Sequence, residues 1–372
     1  ETLAVGGVTL PGFGAAYIAL ADAPVEAASP FTYDGSTLKT PFAEITFDEN
    51  GYIASFTDLP SGRELRKPGG APLNVFLFGE DVPLTYDNWD VDHDVIENLL
   101  PVCGLMGRTV VSDGPVLIAL RSEFALENGG AITQDIIAYA DSPRVDFHTR
   151  IRWNNPHRLL KAGFDLDVCA ARARSEIQFG AIERPTTAND SRELAKYEVC
   201  NRNYTDVSEP GFGVSLLNDC KYGVTVTDCN IRLSLHRGGT HPDFTGDKGR
   251  HEMTYSLLVH EGAFSAENTV YPAYMLNVPA VTAKGEAEIA PIVKIDAANI
   301  ICEAVKPAEC GEGTVIRLYE CEGAKTAVCV SLKGAEKAVL TNLLEDPICA
   351  LPVENGEVKL LFRPFEIKTV KF

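Results

Sequence analysis

Several motifs that mark common enzyme classes are absent from this sequence of 372 residues. Its ten cysteines form no CxxC pair, which argues against a zinc ribbon and against a thioredoxin-like redox site. There is no GxSxG, no P-loop and no GxGxxG followed by a helix, so the residues indicate neither a serine hydrolase nor a nucleotide-binding enzyme. The longest apolar runs are strand-sized, well short of the roughly 20 residues that a membrane helix needs.

Positive charge is also scarce, since 33 Lys and Arg stand against 52 Asp and Glu for a formal net charge of −19. Such a surface repels phosphate groups, so we expect neither nucleic acid nor a membrane as a partner. The cysteines are scattered, several inside apolar strands, which favours free thiols in a reducing compartment and predicts a cytoplasmic protein. No signal-peptide pattern is visible, and because the chain begins at Glu1 we expect a fragment whose targeting signal lies elsewhere.

Alternation of apolar and polar residues dominates what is present. The clearest case runs from residue 145 to 153, where Val145, Phe147, Ile151 and Trp153 share one face. Asn-Gly pairs at 50–51, 128–129 and 355–356 supply the positive φ angles that hairpin turns need. Only residues 191–199 look weakly helical. The pattern predicts an all-β protein with a large antiparallel two-sheet sandwich.

We divide the chain into three segments. Residues 1–30 form a strand segment left from a preceding small β-domain or linker, and residues 31–279 carry most of the strands and nearly all the unusual polar motifs. An Ala- and Glu-rich stretch then leads into a smaller β-domain, residues 280–372. No short internal repeat occurs, which argues against a propeller or a solenoid.

The loop at residues 83–94 combines carboxylates with aromatic rings. Asp90, Asp92 and Asp94 imitate a calcium loop, but the Gly and Glu that an EF-hand needs at positions six and twelve are missing, so calcium is disfavoured. Two interpretations remain. The loop is either polar and anchored by Trp89, or it faces a sugar on which an aromatic ring stacks.

Two further polar clusters lie at strand ends. We interpret residues 151–161, which end at Lys161, as a capped turn with a solvated basic face rather than as the lining of a groove. The strand that ends near residue 217 is followed by Asn218, Asp219, Lys221 and Tyr222. Such a polar tip fits a site and fits equally a hairpin with Asx-type turn bonds.

A series of histidines, His236, His241, His251 and His260, has two aspartates between its members. These residue types bind metals, but the spacing matches no HExxH motif, so we expect solvated or hydrogen-bonded histidines rather than zinc. Carboxylate pairs for glycoside hydrolysis cannot be chosen among 52 acidic residues without geometry. The residues by themselves indicate a β-rich chain with loops suited to a polyhydroxy ligand, and no reaction.

The same stretches resemble, in order, the C-terminal region of family 38 α-mannosidases, most closely the branch of bacterial and cytosolic enzymes. The matching stretches are YDNWD at 86–90, RIRWNNPHRLL at 150–160, EIQFG at 176–180, RP at 184–185, GVSLLNDCKYG at 213–223, LSLHR at 233–237, PD at 242–243 and RPFEIKT at 363–369. Any one of them is a weak signal, but the ordered set covers most of the chain from about residue 36.

The resemblance implies a galactose-mutarotase-like β-supersandwich followed by a smaller C-terminal β-sandwich. It also implies that catalysis, the retaining hydrolysis of terminal α-D-mannosides, takes place in an N-terminal α/β barrel that supplies the catalytic aspartates and the zinc ligands. We therefore expect no catalytic residue, cofactor or metal in this chain, and an exposed surface where the barrel docks. The implied partners are that barrel and a mannose-containing oligosaccharide; a homo-oligomer stays open.

The resemblance further implies that the large β-domain places a few polar side chains at the edge of the substrate pocket. Candidates for the substrate edge or the barrel interface are Asn218, Asp219, Lys221, Tyr222, Asn74, Phe76, Tyr86, Asp87, Trp89 and Asp90. For Lys221 we favour bracing of the barrel over a hydrogen bond to a mannose hydroxyl.

Two other classes remain open. A stand-alone carbohydrate-binding or aldose-epimerase-like sandwich needs an acid and a base across one sugar ring, for which His157 or His241 with Glu183 or Glu198 are the candidates. A β-sandwich adhesion or scaffold module is disfavoured, because the cysteines lack the spacing of an inter-sheet disulfide.

Overall fold

A computed structural model describes residues 4–10, 12–19, 27–286 and 289–372. Residues 1–3, 11 and 20–26 of the expected first segment, and residues 287–288 of the expected linker, lie outside the described residues. The described chain forms two compact units, one mainly from residues 27–175 and 183–264 and the other mainly from residues 176–182 and 265–372. None of the helices in these parts of the chain combines the length and apolar character that crossing a membrane demands.

The first unit begins with a small antiparallel sheet. Its strands are β1 (Thr32–Tyr33), β2 (Thr37–Lys39), β3 (Ala43–Phe47), β4 (Ile53–Asp58) and β5 (Arg63–Glu64), hydrogen-bonded in that order. The turn between β3 and β4 contains Asn50 and Gly51, and Gly51 has a φ of 84°. The predicted hairpin is confirmed, because glycine supplies the left-handed conformation at no steric cost.

Two larger sheets follow in the same unit. Their strands are β6 (Val75–Glu80), β7 (Leu100–Pro101), β8 (Leu105–Asp113), β9 (Leu117–Ala125), β10 (Ala131–Tyr139), β11 (Val145–Trp153), β12 (Arg158–Asp165), β13 (Arg172–Ile177), β14 (Gly180–Pro185), β15 (Val199–Cys200), β16 (Tyr204–Glu209), β17 (Phe212–Asn218), β18 (Gly223–Thr227), β19 (Asn230–Arg237) and β20 (Gly249–Glu261). The nine-stranded sheet has the order β14-β13-β16-β17-β20-β11-β10-β9-β8, and the six-stranded sheet has the order β15-β18-β19-β12-β6-β7.

The apolar faces of these sheets form one hydrophobic core. Phe147, Ile151 and Trp153 of β11 are at most 2% exposed, whereas Arg152 between them is exposed. The predicted strand at 145–153 is therefore confirmed in both its bounds and its buried face. Burying side chains of this size contributes about 1.5–3 kcal/mol each, so this alternation fixes which face of the sheet points inwards.

The core also contains a satisfied polar network. Asn74, in a left-handed conformation with a φ of 58°, donates from Nδ2 to Gln134 Oε1 at 2.7 Å and accepts from the Tyr255 hydroxyl at 2.7 Å. Gln134 Nε2 in turn donates to the Thr149 hydroxyl at 2.9 Å. An unpaired buried polar group costs about 1–3 kcal/mol, so these partners hold β6 against the opposite sheet. Phe76 lies beside the network and is fully buried.

The second unit has its own sheets and its own core. Its strands are β21 (Val293–Ile295), β22 (Ile300–Pro307), β23 (Thr314–Glu320), β24 (Thr326–Leu332), β25 (Ala338–Thr341), β26 (Pro347–Leu351), β27 (Glu357–Phe362) and β28 (Ile367–Lys371). They form a three-stranded sheet, β21-β24-β27, and a five-stranded sheet, β22-β23-β28-β25-β26. Ile316, Val330 and Phe362 are fully buried in its core. Together the two units confirm the all-β fold class, a large antiparallel sandwich followed along the chain by a smaller one.

The turn at Asn355-Gly356 follows the prediction in part. Glu354 and Glu357 exchange two backbone hydrogen bonds across it, at 2.9 and 3.0 Å, as a tight turn requires. The predicted reversal is therefore confirmed, but it is limited to this one pair, because β26 before the turn and β27 after it belong to different sheets. Turn chemistry sets the local reversal of the chain and not the partner of each strand.

Helices are few and short in the described residues. They are α1 (His93–Glu97), α2 (Ser191–Leu194) and α3 (Tyr271–Asn277), with a 3₁₀ turn at Glu127–Gly129 and a π turn at Ala266–Val270. The helix predicted for residues 191–199 ends after its first turn, although Asp190 caps it by accepting from two backbone N–H groups at 2.9 Å. Long-range contacts prevail over local propensity here, since the Tyr197 hydroxyl donates to the Val91 carbonyl at 2.6 Å.

Candidate functional site

A shallow depression lies on the outer face of the six-stranded sheet and has a volume of about 370 Å³. We call it the sheet depression; it is lined by Val91, Leu159, Glu198, Lys221, Ser234, Leu235, His236, Arg237 and Asp247. It brings together the polar tip after β17, the end of the loop at residues 81–92 and one of the predicted histidines. Residues from all four predicted polar clusters, Val91, Leu159, Lys221 and His236, therefore meet at one place.

The polar tip after β17 is held rigidly by side-chain to backbone bonds. Asn218 Oδ1 accepts from the Lys221 backbone N–H at 2.8 Å, and its Nδ2 donates to the Arg202 carbonyl at 2.5 Å. Asp219 Oδ2 accepts from the Thr254 N–H at 2.9 Å. The Asx-type bonding, one of the two alternatives that the sequence left open, is present. It positions Lys221 at the sheet depression, while Tyr222 is 47% exposed.

The floor of the sheet depression contains an ion pair that the sequence did not indicate. Lys161, on β12, is fully buried, and its ammonium group donates to a Glu198 carboxylate oxygen and to the Thr225 hydroxyl, the latter at 3.0 Å. Burial lowers the pKa of Lys161, and the adjacent Glu198 carboxylate opposes that shift. The predicted solvated basic face is therefore wrong for Lys161, because Glu198 covers it.

Two histidines of the predicted series meet at the edge of the sheet depression. The rings of His236 and His251 are 3.9 Å apart, and each directs Nε2 at the Asp247 carbonyl, at 3.2 and 2.6 Å. Burial, together with the neighbouring His251 and Lys221, lowers the pKa of His236 to about 3, so the ring is neutral. A carbonyl oxygen only accepts, so both Nε2 atoms carry hydrogens and neither serves as a metal ligand there.

The remaining histidines of the series have other partners. His260 contacts Asp206, with Nε2 to Oδ2 at 2.8 Å, and the ring of His241 stacks against Tyr86 with centroids 5.7 Å apart. Among the described residues, no three His, Cys, Asp or Glu side chains come close enough together to hold a metal ion. These contacts agree with the expectation of hydrogen-bonded histidines.

The loop at residues 81–92 is fixed to the end of β19 by charged groups. Arg237 forms a two-pronged contact with the buried carboxylate of Asp81 and donates to the Asp90 carbonyl. Asp87 accepts from the backbone N–H groups of Thr240 and His241 at 2.8 and 2.6 Å. Burial raises the pKa of Asp87, but these hydrogen bonds outweigh that effect and leave the pKa below its ordinary value.

The same loop and the segment after β19 present an exposed aromatic patch, to which the loop contributes Tyr86 and Trp89 and the segment contributes His241 and Phe244. The Tyr86 and Trp89 ring centroids lie 5.6 Å apart, and those of His241 and Phe244 lie 6.4 Å apart. Trp89 is 71% exposed and Phe244 is 80% exposed. Rings held in this way can stack on a sugar or pack against another protein surface.

The candidates predicted from the sequence thus fall into three locations. Lys221 lines the sheet depression, and Tyr222 is exposed beside it, at the tip that Asn218 and Asp219 fix. Tyr86, Asp87, Trp89 and Asp90 belong to the loop. Asn74 and Phe76 are buried in the sandwich interior, where any effect on a site is transmitted by packing.

The sequence did not group Lys161, Glu198, Ser234 and Arg237 in one site. One signal was available for Lys161, because a lysine flanked by Leu160 and Ala162 on a strand is a candidate for burial. Glu198 was named only as an epimerase candidate with His157 or His241, and nothing indicated its contact with Lys161. Of the predicted epimerase pairs none is brought into one depression: His157 and His241 lie beside Asp87 and Thr240, whereas Glu198 shares its depression with His236.

Comparison with known proteins identifies what the chain is similar to. Residues 38–245 match the model described as the C-terminal domain of glycosyl hydrolases family 38, and residues 299–370 match the C-terminal beta sandwich domain of the same family. Alpha-mannosidase 2C1 of Homo sapiens is 35% identical over 347 residues, which cover 90% of this chain and 33% of that protein. Alpha-mannosidase G of Dictyostelium discoideum is 33% identical, over 89% of this chain and 32% of its own length. The chain thus spans about a third of these curated relatives.

A solved structure shares the fold. An alpha-mannosidase from Enterococcus faecalis V583 superposes with a TM-score of 0.75 at 18% sequence identity, over 94% of this chain and 43% of that one. At this identity the superposition bears on the fold alone. It covers nearly all of the chain, in agreement with the two sandwiches described above.

Proposed function

The chain belongs to the C-terminal domain family of the family 38 glycosyl hydrolases, and on that premise we propose that it is the non-catalytic β portion of a zinc-dependent, retaining α-mannosidase. In this proposal, a catalytic barrel N-terminal to the chain hydrolyses terminal α-D-mannosides of a mannose-containing oligosaccharide. The observation that carries it is the match of both C-terminal domain models in chain order, together with relatives named alpha-mannosidases of which the chain spans 33% or less.

Zinc belongs to the barrel in this proposal. The described residues do not fit a zinc site, because no three candidate ligands among them come together and the neighbouring His236 and His251 direct their Nε2 hydrogens at the Asp247 carbonyl. We therefore assign no catalytic step to this chain.

We propose that the chain has two tasks in the whole enzyme. The aromatic patch of Tyr86, Trp89 and Phe244 braces the barrel, since rings this exposed gain most from being covered. For the tip with Lys221 and Tyr222 the sequence favoured bracing of the barrel. Because Lys221 lines the sheet depression, we propose instead that the tip stands at the edge of the carbohydrate site, where an ammonium and a phenol can hydrogen-bond sugar hydroxyls. Asn218, Asp219 and Asp87 hold these elements in position.

We also propose a cytoplasmic location, supported by ten cysteines that are all free thiols. We propose the same division of the chain into a strand segment at residues 1–30, a large β-supersandwich at residues 31–279 and a small C-terminal β-domain at residues 280–372.

The deciding experiment is an assay with a chromogenic α-mannoside, run with added zinc on this chain and on a version extended N-terminally to the length of the relatives. We expect activity only in the extended protein. Activity in both would place a catalytic pair in the sandwich, and activity in neither would remove the support for a mannosidase.

A substitution in the extended protein tests the carbohydrate edge. Lys221→Met is expected to lower kcat/KM about tenfold, which corresponds to about 1.4 kcal/mol of transition-state stabilisation. Lys294→Met is the matched control, since Lys294 is exposed on β21 and outside the site. Equal activity of both variants would remove Lys221 from the edge of the site at which the barrel hydrolyses its substrate.

A further inference from the structure

The fully buried Lys161 on β12 is the most unusual charged group in the first unit. An ion as small as an ammonium loses several kcal/mol of hydration when it is buried. Its charge is compensated by Glu198, which is 37 residues away along the chain and 18% exposed. Buried ion pairs usually contribute little to the stability of the fold, because replacing both partners with apolar side chains of similar volume often leaves a protein equally stable. A buried pair at the bottom of a depression is therefore a candidate for function.

The Glu198 carboxylate is held from several sides. One oxygen accepts from Lys161 and from the Thr225 hydroxyl, the latter at 2.9 Å, and the other accepts from the Ser234 hydroxyl at 2.5 Å. The backbone of Gly223 also approaches closely, since a Cβ there would lie 2.5 Å from the second oxygen. A carboxylate oxygen has about two acceptor positions, so the oxygen bonded to Ser234 keeps one free.

The surroundings of Glu198 indicate the kind of ligand. Lys221 contributes a cation, Asp247 is exposed at the rim, and the ring of His236 is neutral. With charges of both signs present, neither an anion nor a cation is favoured. Val91 and Leu159 add apolar surface beside these groups. A mixture of acceptors, donors and apolar patches suits the hydroxyls and C–H faces of a sugar.

We propose that the sheet depression is a binding site for a pyranose in its own right, in which Glu198 accepts hydrogen bonds from sugar hydroxyls, Lys221 donates to them, and Lys161 is a positioning residue that holds Glu198. The volume of about 370 Å³ falls within the roughly 300–1,000 Å³ of small-molecule sites. The choice of a mannoside as the sugar rests on the proposed function.

The test is a titration of this chain with methyl α-D-mannopyranoside, followed by saturation-transfer NMR. We expect saturable, weak binding that Glu198→Gln weakens at least tenfold. Glu80→Gln is the matched control, because Glu80 is exposed on β6 of the same sheet and outside the depression. It should bind like the parent chain.

Glu198→Gln leaves a buried ammonium with a weaker partner, so it risks destabilising the fold. The double variant Lys161→Met and Glu198→Met replaces the pair with apolar groups of similar size and is expected to fold, which its thermal unfolding will show. It should bind no mannoside. If it binds as tightly as the parent chain, the pair has no part in sugar binding and the proposal is overturned.

Two further outcomes are informative. Absence of mannoside binding to the folded parent chain, or a preference for inorganic phosphate over the sugar, overturns the proposal. Neither result touches the proposed function if the extended protein hydrolyses α-mannosides. Conversely, mannoside binding without hydrolysis by the extended protein would support the site and reject the mannosidase.

Discussion

Asp135, at the residue scale, shows how arginines keep a mostly buried carboxylate charged. On the outer face of β10 it accepts from Arg121 Nε and Nη2 at 2.6 and 2.8 Å and from Arg150 Nη2 at 2.8 Å. Burial raises the pKa of Asp135, but the arginines outweigh that and hold its pKa below the ordinary value. The three side chains tie β9, β10 and β11 together on the face opposite the core.

The substitution Asp135→Asn should make stability less dependent on pH. A folded-state pKa below the unfolded value of about 3.9 means that the carboxylate contributes its full stability above that pH and loses it as the pH falls through the folded-state pKa. At pH 7 we expect the variant to be less stable by about 1–3 kcal/mol, a range kept low because both arginines are partly exposed. The difference should shrink towards pH 3.

Urea unfolding at several pH values between 3 and 7 measures this effect. Glu123→Gln is a suitable control, since Glu123 is exposed on the neighbouring strand β9. A stability difference between Asp135→Asn and the parent chain that stays constant across the range would mean that the ion pairs contribute nothing.

Lys161 marks the limit of sequence reasoning for single residues. The sequence predicted a capped turn with a solvated basic face that ends at Lys161, whereas the structure places Lys161 within β12 and buries it. Its apolar neighbours along the strand were the one signal for burial, but a lysine on the outer face of a sheet is normally solvated. Lys161 is buried because Glu198 covers it. Glu198 reaches Lys161 only because the helix α2 ends at Leu194 and the chain then continues across the outer face of the sheet. No local pattern encodes such a contact.

Strands could be predicted from the sequence where only one of their two faces is buried. The alternation at residues 145–153 gave the bounds and the inner face of β11, because burial of Phe147, Ile151 and Trp153 requires period two. The Asn-Gly turn at 355–356 predicted the reversal of the chain but not that β26 and β27 belong to different sheets, because the partner of each strand is set by long-range packing. Strand order in the two large sheets likewise depends on long-range pairing and could not be derived.

Gly238, directly after β19, lies between Arg237 and the residues that bind Asp87, and its backbone packs closely against the turn before β12. A Cβ at this position would collide with the Asn155 carbonyl oxygen and lie 2.9 Å from Trp153 Nε1. Gly238→Ala is therefore expected to destabilise the first unit by about 1–3 kcal/mol, as overpacking does. It should also displace Arg237 and the residues that bind Asp87.

Thermal and urea unfolding of the Gly238→Ala variant measure the first effect, and mannoside binding measures the second. Gly107→Ala on β8 is the matched control, because a Cβ there meets nothing within 4 Å. Equal stability of the two variants would show that the close approach at Gly238 relaxes freely.

At the scale of the whole molecule, the family could be inferred from the order of the motifs along the sequence. The candidate site could be recognised only from the folded structure. Seven of the matching stretches lie between residues 86 and 243 and one at 363–369, on both matched domains. The order of these stretches can be read from the sequence, because it does not depend on which residues contact each other in the fold. The meeting of Lys221, Glu198 and the loop at residues 81–92 on one sheet face is visible only after the strands have been paired.

The thiols offer a comparison across the whole chain. Cys103, Cys200 and Cys349 are exposed, and Cys229 and Cys321 are buried. Cys310 is exposed as well, and it is distinguished by Lys371, whose ammonium donates to its Sγ at 2.9 Å. This hydrogen bond lowers the pKa of the Cys310 thiol, so a larger fraction is thiolate at neutral pH, and the thiolate is the reactive form.

Limiting alkylation with iodoacetamide near neutral pH, read by peptide mass spectrometry, should therefore label Cys310 first. Cys103 and Cys349 should follow, and Cys229 and Cys321 should react only after denaturation. Lys371→Met should slow Cys310 to the rate of the other exposed thiols and leave theirs unchanged. If Cys310 reacts no faster than Cys349, or if Lys371→Met leaves its rate unaltered, then the ammonium does not stabilise the thiolate, and exposure alone orders the reactivity of the cysteines.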